Sequence, residues 1–192
     1  EKKGKIFKSA PEFTNNKFFD ECKINYAENC LTRDDDDDAI IFHSEKKIKR
    51  NYSWRELKSA VLKFANYLKN NNIEKNDRIA AILPNIPETV ISFLSTAQLG
   101  AIWSSCSSDF GKKAIIDRFK QIEPKVLLFS DYYFYNNKKV DTTKIIKDVV
   151  YNIPSIEKII LIPYEFNETD YQLDFEYDNF CLLYTSPSPR DY

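Results

Sequence analysis

Methionine is absent from all 192 residues, histidine occurs once and glycine three times. Each scarcity excludes something. Gly4, Gly100 and Gly111 stand alone, whereas a backbone cradle for phosphates needs several glycines in one short loop, so that amides can approach the oxygens. No such loop is present, and no Gly-x-Ser-x-Gly elbow. With His43 as the single histidine, paired-histidine metal ligation is excluded, and no Ser-His-Asp set stands at a spacing that would recommend it. The cysteines Cys22, Cys30, Cys106 and Cys181 form no Cys-x-x-Cys pair, so they read as reduced, partly buried thiols rather than zinc ligands or a disulfide framework. No apolar run approaches the roughly 20 residues that cross a bilayer. The opening Glu1-Lys-Lys-Gly-Lys-Ile-Phe7 leads into no signal-peptide core, which predicts a soluble, cytosolic protein. Charge of one sign is missing too: Lys+Arg 28 against Asp+Glu 29 leaves a net charge of -1, so no overall field draws in nucleic acid or an anionic membrane.

What remains is enough to fold. A 43% hydrophobic and 15% aromatic composition supplies a sizeable core. The lack of methionine and the opening in an extended stretch predict a fragment of a longer protein. The final Cys181-Leu-Leu-Tyr-Thr-Ser-Pro-Ser-Pro-Arg-Asp191 resembles the translation of a sequencing-library adapter, so 181–192 is expected to be non-native.

Residues 1–33 mix Phe7, Phe13, Phe18, Phe19 and Tyr26 with charges and without sustained periodicity, which predicts an extended arm with short helical turns laid over a larger body. Asp34 to Asp38 repel one another and mark a solvated loop. Their contiguous spacing lacks the alternation and Gly turn of a calcium loop. Ala39 to Phe42 and Lys46 to Tyr52 predict a β-hairpin, with His43 in a structural role at the end of its first strand. Ser53-Trp54-Arg55-Glu56 matches a capping box, and Leu57, Ala60, Val61, Phe64, Ala65 and Leu68 recur at helical spacing up to Asn70-Asn71-Asn72.

Ile79 to Leu83 is apolar throughout, as in a parallel strand covered on both faces. Asn85 and Glu88 bracket the start of the next helix, whose buried face is read as Val90, Phe93, Leu94 and Ala97, with Gly100 as a left-handed stop. Strands follow at Ala101 to Ser104, Val126 to Phe129 and Ile159 to Ile162, separated by helices at Asp109 to Ile122 and Thr142 to Tyr151. Alternating strands and helices on short connections mean an α/β fold with a parallel sheet. Cys106, with no histidine nearby in sequence to lower its pKa, is assigned to packing.

Four segments carry a resemblance: Lys17-Phe-Phe-Asp-Glu-Cys-Lys-Ile-Asn-Tyr-Ala-Glu-Asn29, Asn51-Tyr-Ser-Trp-Arg-Glu-Leu57, the run from Ile79 to Gly111 with its Trp103-Ser-Ser-Cys-Ser-Ser-Asp-Phe110, and Asp117-Arg-Phe-Lys-Gln-Ile-Glu-Pro-Lys-Val-Leu127. Together they resemble the acetoacetyl-CoA synthetases of the adenylate-forming ligase superfamily over roughly 13–140. The resemblance implies an N-terminal extension at 1–38, the first parallel-sheet α/β subdomain of the large domain at 39–180, and the adapter-like 181–192. It also implies a parent acid–thiol ligase of cytosolic lipid and ketone-body metabolism, which uses ATP, Mg²⁺ and CoA to activate acetoacetate through an acyl-adenylate. The family's phosphate loop, adenine-contacting segment and catalytic lysine have no counterpart in the sequence, so no catalytic residue is assigned and the fragment alone is expected to be inactive.

Asp131-Tyr-Tyr-Phe-Tyr-Asn-Asn-Lys138 resembles the family's Asp-Gly-Tyr-Arg-Tyr-Asn-Gly-Lys, with Tyr132, Phe134 and Asn137 replacing Gly, Arg and Gly. That segment lies near the CoA phosphates in the related acetyl-CoA synthetases, which makes Lys138 the candidate CoA-phosphate contact. Another acyl-CoA synthetase, such as an acetyl-CoA synthetase, and a non-catalytic α/β binding module stay open as alternatives.

Overall fold

The computed structural model describes residues 4–45, 48–165, 171, 173–181 and 183. The arm begins with β1 (Phe7–Lys8) and β2 (Lys17–Phe18), an antiparallel ribbon on which Phe7 and Phe18 pack ring to ring. Helix α1 (Tyr26–Cys30) is capped by the Asn25 side chain, which accepts from the Glu28 amide at 3.2 Å. Short turns along an otherwise extended arm are what the broken periodicity predicts.

The acidic run is exposed yet far from unpaired. Arg33 bridges Asp35 at 2.8 Å and also reaches Asp37, Arg55 reaches Asp34 at 3.5 Å and Asp36 at 3.1 Å, and Lys58 holds Asp34 at 3.0 Å. Exposed pairs contribute about 0–1 kcal/mol each, so their effect is to shape the loop by cancelling its repulsion. The predicted hairpin follows as β3 (Asp38–His43) and β4 (Lys49–Ser53), antiparallel, with Phe42 opposite Arg50. Part of its predicted second strand, 46–47, lies outside the described residues. His43 ends β3 and is exposed. Helix α2 (Trp54–Asn70) opens on the expected capping box, Ser53 and Glu56 each satisfying the other's amide.

The sheet is built from β5 (Arg78–Ile82), β6 (Ile102–Cys106), β7 (Val126–Ser130), β10 (Lys158–Ile162) and β11 (Asp178–Asn179). Between them lie α3 (Pro87–Gln98), α4 (Lys112–Lys120), the antiparallel hairpin β8 (Tyr132–Tyr135) and β9 (Lys138–Asp141), and α5 (Thr143–Asn152). All five sheet strands run parallel in the order β11-β10-β7-β5-β6. Alternation along the strands sorts the core into two halves. Ile79, Ala81, Val126, Leu128, Ile160 and Ile162 face α2 and α3, whereas Ala80, Ile82, Leu127, Phe129, Ile159 and Leu161 face α4 and α5. Cover on both faces is why these strands read as continuous apolar runs. Each fully buried Leu, Ile or Phe contributes about 1.5–3 kcal/mol relative to exposure.

Two helix readings need correction. Helix α3 has Ile86 as its N-cap with no side-chain cap, and its buried face is Pro87, Glu88, Ile91, Ser92, Leu94, Ser95 and Thr96, while Val90 is exposed. The predicted stripe is rotated because polar Ser and Thr, excluded from an apolar count, are buried too: Ser95 Oγ donates to the carbonyls of Val61 in α2 and of Ile91, and Thr96 Oγ1 to that of Ser92. Helix α4 starts at Lys112 rather than Asp109, because 107–111 is spent on a turn in which the Phe110 amide donates to the Ser107 carbonyl. Gly100 does take the left-handed conformation, at φ +70°. The arm is tied to the end of α3 by the Asn25 amide, which donates to the carbonyls of Ala97 and Gln98. Of the adapter-like 181–192, residues 182 and 184–192 lie outside the described residues.

Candidate functional site

Strand β5 has β6 on one side and β7 on the other, so the crossover through α3 to β6 and the next, through α4 back past β5 to β7, run in opposite directions. In open α/β sheets such a reversal leaves a crevice over the strands' carboxyl ends, where ligands bind. Here that edge is formed by 83–86 after β5, Ser107 to Gly111 after β6, Ser130 and Asp131 after β7, and 163–165 after β10.

Asp131 is the polar centre of this edge. Only 3% exposed, its Oδ1 accepts the amides of Tyr132 and Tyr164, each at 2.9 Å, and its Oδ2 accepts the Tyr171 hydroxyl at 2.6 Å. Burial, and then the Asp131 charge, push the Tyr171 phenol well above its ordinary value. Beside Asp131 lies a cleft of about 340 Å³ lined with Tyr132, Lys139, Asp141, Thr143 and Tyr171.

The β8–β9 hairpin stands on this base. Its turn, Asn136-Asn137, has φ of +49° and +61°, the paired left-handed conformation that suits the twist of a two-residue hairpin. Asn tolerates that region better than other non-glycine residues, so Asn137 keeps the turn that the family's Gly would make. Lys138 follows as the first residue of β9, exposed and directly opposite Tyr135. Phe134, where the family segment carries Arg, lies across from Lys139, and its ring packs against Tyr132 and Tyr164 at 5.6 and 5.5 Å. Lys139 Nζ sits 3.6 Å from the centroid of the Tyr132 ring. Lys138 therefore shares the opposite face with Tyr133 and Tyr135. Tyr133 in turn reaches toward the β6–α4 loop: its phenol is pushed up by burial and next by the Asp109 carboxylate.

The other singled-out residues do not join this edge as chemistry. Cys106 ends β6 buried, and burial pushes its thiol up although Arg118 opposes that, so it is held as a neutral packing group. Cys22 and Cys30 are half-buried. Among the described residues no group of three or more His, Cys, Asp or Glu side chains is placed to hold a metal ion. The arrangement can orient a ligand and offer it a cation and aromatic faces. Asp131 carries a structural importance that sequence reading missed, although an acid two residues beyond the four buried apolar residues Val126 to Phe129 was a usable signal.

The profile of the AMP-binding enzyme family matches residues 27–188. The chain belongs to that family. Among its members, the acetoacetyl-coenzyme A synthetase of Rhizobium meliloti (strain 1021) is 40% identical over 148 residues, covering 77% of this chain and 22% of the relative. The acetoacetyl-CoA synthetase of Xenopus tropicalis is 37% identical over 150 residues, with the same coverage of 77% and 22%. The solved acetoacetyl-CoA synthetase from Streptomyces lividans superposes with a TM-score of 0.83 at 29% identity, covering 95% of this chain and 28% of that one. The chain thus spans about 22% of the length of the curated relatives it matches. The expected fold, an arm followed by the parallel-sheet α/β part of an AMP-binding enzyme, is the one observed.

Proposed function

We propose that this chain is a stretch of an acetoacetate–CoA ligase. The parent reaction joins the acetoacetate carboxylate to the α-phosphorus of ATP, expelling pyrophosphate; the thiol sulfur of CoA then attacks the acyl carbon and AMP leaves, giving acetoacetyl-CoA. Activation is needed because a free carboxylate would have to expel oxide, whereas AMP is a good leaving group. The observation that carries this reading is the 40% identity to an acetoacetyl-coenzyme A synthetase across 77% of the chain. Within the reaction, the sheet's carboxyl edge frames the CoA end of the site, and Lys138, exposed at the start of β9, pairs with a CoA phosphate. The chain divides into an extension at 1–38 and the start of the adenylation domain at 39–180, with 181–192 foreign to it. The parent works in the cytosol in lipid metabolism; among the described residues no helix is long and apolar enough to cross a membrane.

The test is an assay of the full-length gene product for AMP release that depends on both acetoacetate and CoA. Turnover of acetate with refusal of acetoacetate overturns the substrate assignment. The 192-residue chain alone is expected to show no acetoacetate-dependent exchange of pyrophosphate into ATP.

A further inference from the structure

We infer that Asp131 is a positioning residue for CoA, setting the orientation of the β8–β9 hairpin and through it that of Lys138. The inference rests on the reading of Lys138 just given. An isolated two-stranded hairpin is marginal in water, so the direction in which this one projects is fixed by its tethers. At the tip the Asn137 amide donates to Glu45 Oε2 at 2.8 Å, linking the turn to the residues after β3. At the base, Oδ1 of Asp131 joins the first residue of the hairpin, Tyr132, to Tyr164 on the segment leaving β10. The main-chain carbonyl of Asp131 accepts the Thr142 amide at 3.0 Å, closing the hairpin's other strand onto the same residue, and the Thr142 hydroxyl donates to the Ser130 carbonyl.

The carboxylate makes no ion pair among the described residues, so the amides and the Tyr171 hydroxyl compensate its burial. This environment offers donors only. Asn would match the shape of Asp131 but would present an NH₂ group where a second acceptor is required, and the segments converging on it would separate.

In the full-length gene product, acetoacetate-dependent pyrophosphate exchange reports the first step without CoA, and AMP release reports the second. Asp131→Asn is expected to raise KM for CoA about tenfold, the scale of one lost hydrogen bond to a charged group, while exchange stays within about twofold. Lys138→Ala is expected to raise KM for CoA comparably, and the double variant to be no worse than the more impaired single one, because one residue acts through the other. Equal loss of exchange and AMP release in Asp131→Asn with KM for CoA unmoved overturns the inference, as do additive effects in the double variant. If Asp131→Asn does not fold, Tyr171→Phe, which removes only the Oδ2 donor, is expected to raise KM for CoA about threefold; an unchanged value overturns the inference equally. Lys138→Ala with unchanged KM for CoA overturns both the lysine's role and this one. A parent protein without acetoacetate-dependent exchange overturns the functional reading instead.

Discussion

The buried pair between Arg50 and Glu88 offers the sharpest test of how this fold is held. Glu88, in the first turn of α3, has no solvent exposure, and its two oxygens accept from Arg50 Nη1 at 2.5 Å and Nη2 at 3.0 Å, with the Tyr52 hydroxyl donating at 3.2 Å. The Arg50 guanidinium lies over the Phe42 ring at 5.1 Å. Burial pushes the Glu88 carboxyl above its ordinary value, against the opposing pull of Arg50, the helix-start backbone and Tyr52. Removing one partner of such a pair leaves an uncompensated charge, so Arg50→Met is expected to destabilise the chain by about 3 kcal/mol at pH 7.5. The pH dependence follows in sign. A carboxyl raised in the folded state binds its proton more tightly there than in the unfolded chain, so its contribution is full below the unfolded value and is lost as pH rises through the folded one. Arg50→Met removes the main downward pull, widens that window, and gives a stability that falls by about 1.4 kcal/mol per pH unit within it.

The paired replacement Arg50→Met with Glu88→Leu removes both charges and is expected to return to within about 1 kcal/mol of the parent, without the pH slope. Urea unfolding at pH 5 and 7.5, followed by the fluorescence of Trp54 and Trp103, reads all three proteins. The reasoning is refuted if Arg50→Met loses less than about 1 kcal/mol at pH 7.5, if its loss does not grow with pH, or if the double variant is as unstable as the single.

Three smaller substitutions test other parts of the fold by the same unfolding assay. Ser92 Oγ is buried in α3 without a hydrogen-bond partner among the described residues, so Ser92→Ala is expected to be neutral or to stabilise by up to about 1 kcal/mol; a loss above about 1 kcal/mol would mean the hydroxyl is satisfied. Ser53→Ala removes one half of the capping box and should lower stability by about 1 kcal/mol, with no loss counting against the cap. Gly100→Ala places a Cβ 3.3 Å from Lys75 Cγ, which can move, so its expected loss of about 1–2 kcal/mol comes from the φ of +70° that the helix stop requires; an unchanged midpoint would contradict this.

The elements that sequence located were those whose burial is one-dimensional. The α2 stripe and its Ser53 cap, and the all-apolar strands at 79, 126 and 159, follow from periodicity, because one class of side chain faces one neighbour. Helix α3 was located but rotated, since its buried face includes Ser92, Ser95 and Thr96, of which Ser95 bonds to the Val61 carbonyl of α2 and Thr96 to a carbonyl of its own helix. Glu88 was read as a helix-start acid, which it is, but its partners Arg50 and Tyr52 lie 38 and 36 residues away and no local pattern could supply them. The β8–β9 hairpin was missed as structure because Tyr-Tyr-Phe-Tyr has no apolar alternation to count; its two faces are both aromatic, and only the Asn-Asn turn marks it.

That hairpin also shows how substitutions can leave the geometry of a segment intact. Cross-strand partners share a face, so register places Phe134 with Lys139 and Tyr132 on the side of Tyr164, and Lys138 with Tyr135 on the other. Replacing the family's Arg by Phe134 therefore adds a ring to the packed face and takes nothing from the face that presents Lys138. Replacing Gly by Asn137 keeps the left-handed turn at φ +61°. Two of the three departures from the family segment thus fall where the hairpin tolerates them, and the third, Tyr132, supplies the ring under Lys139. Five positions of the segment stay as the family has them, Asp131, Tyr133, Tyr135, Asn136 and Lys138, and among these the acid stands at the base and the cation beside the turn. Lys138 is exposed at the start of β9, and Asp131 is buried where the hairpin leaves β7.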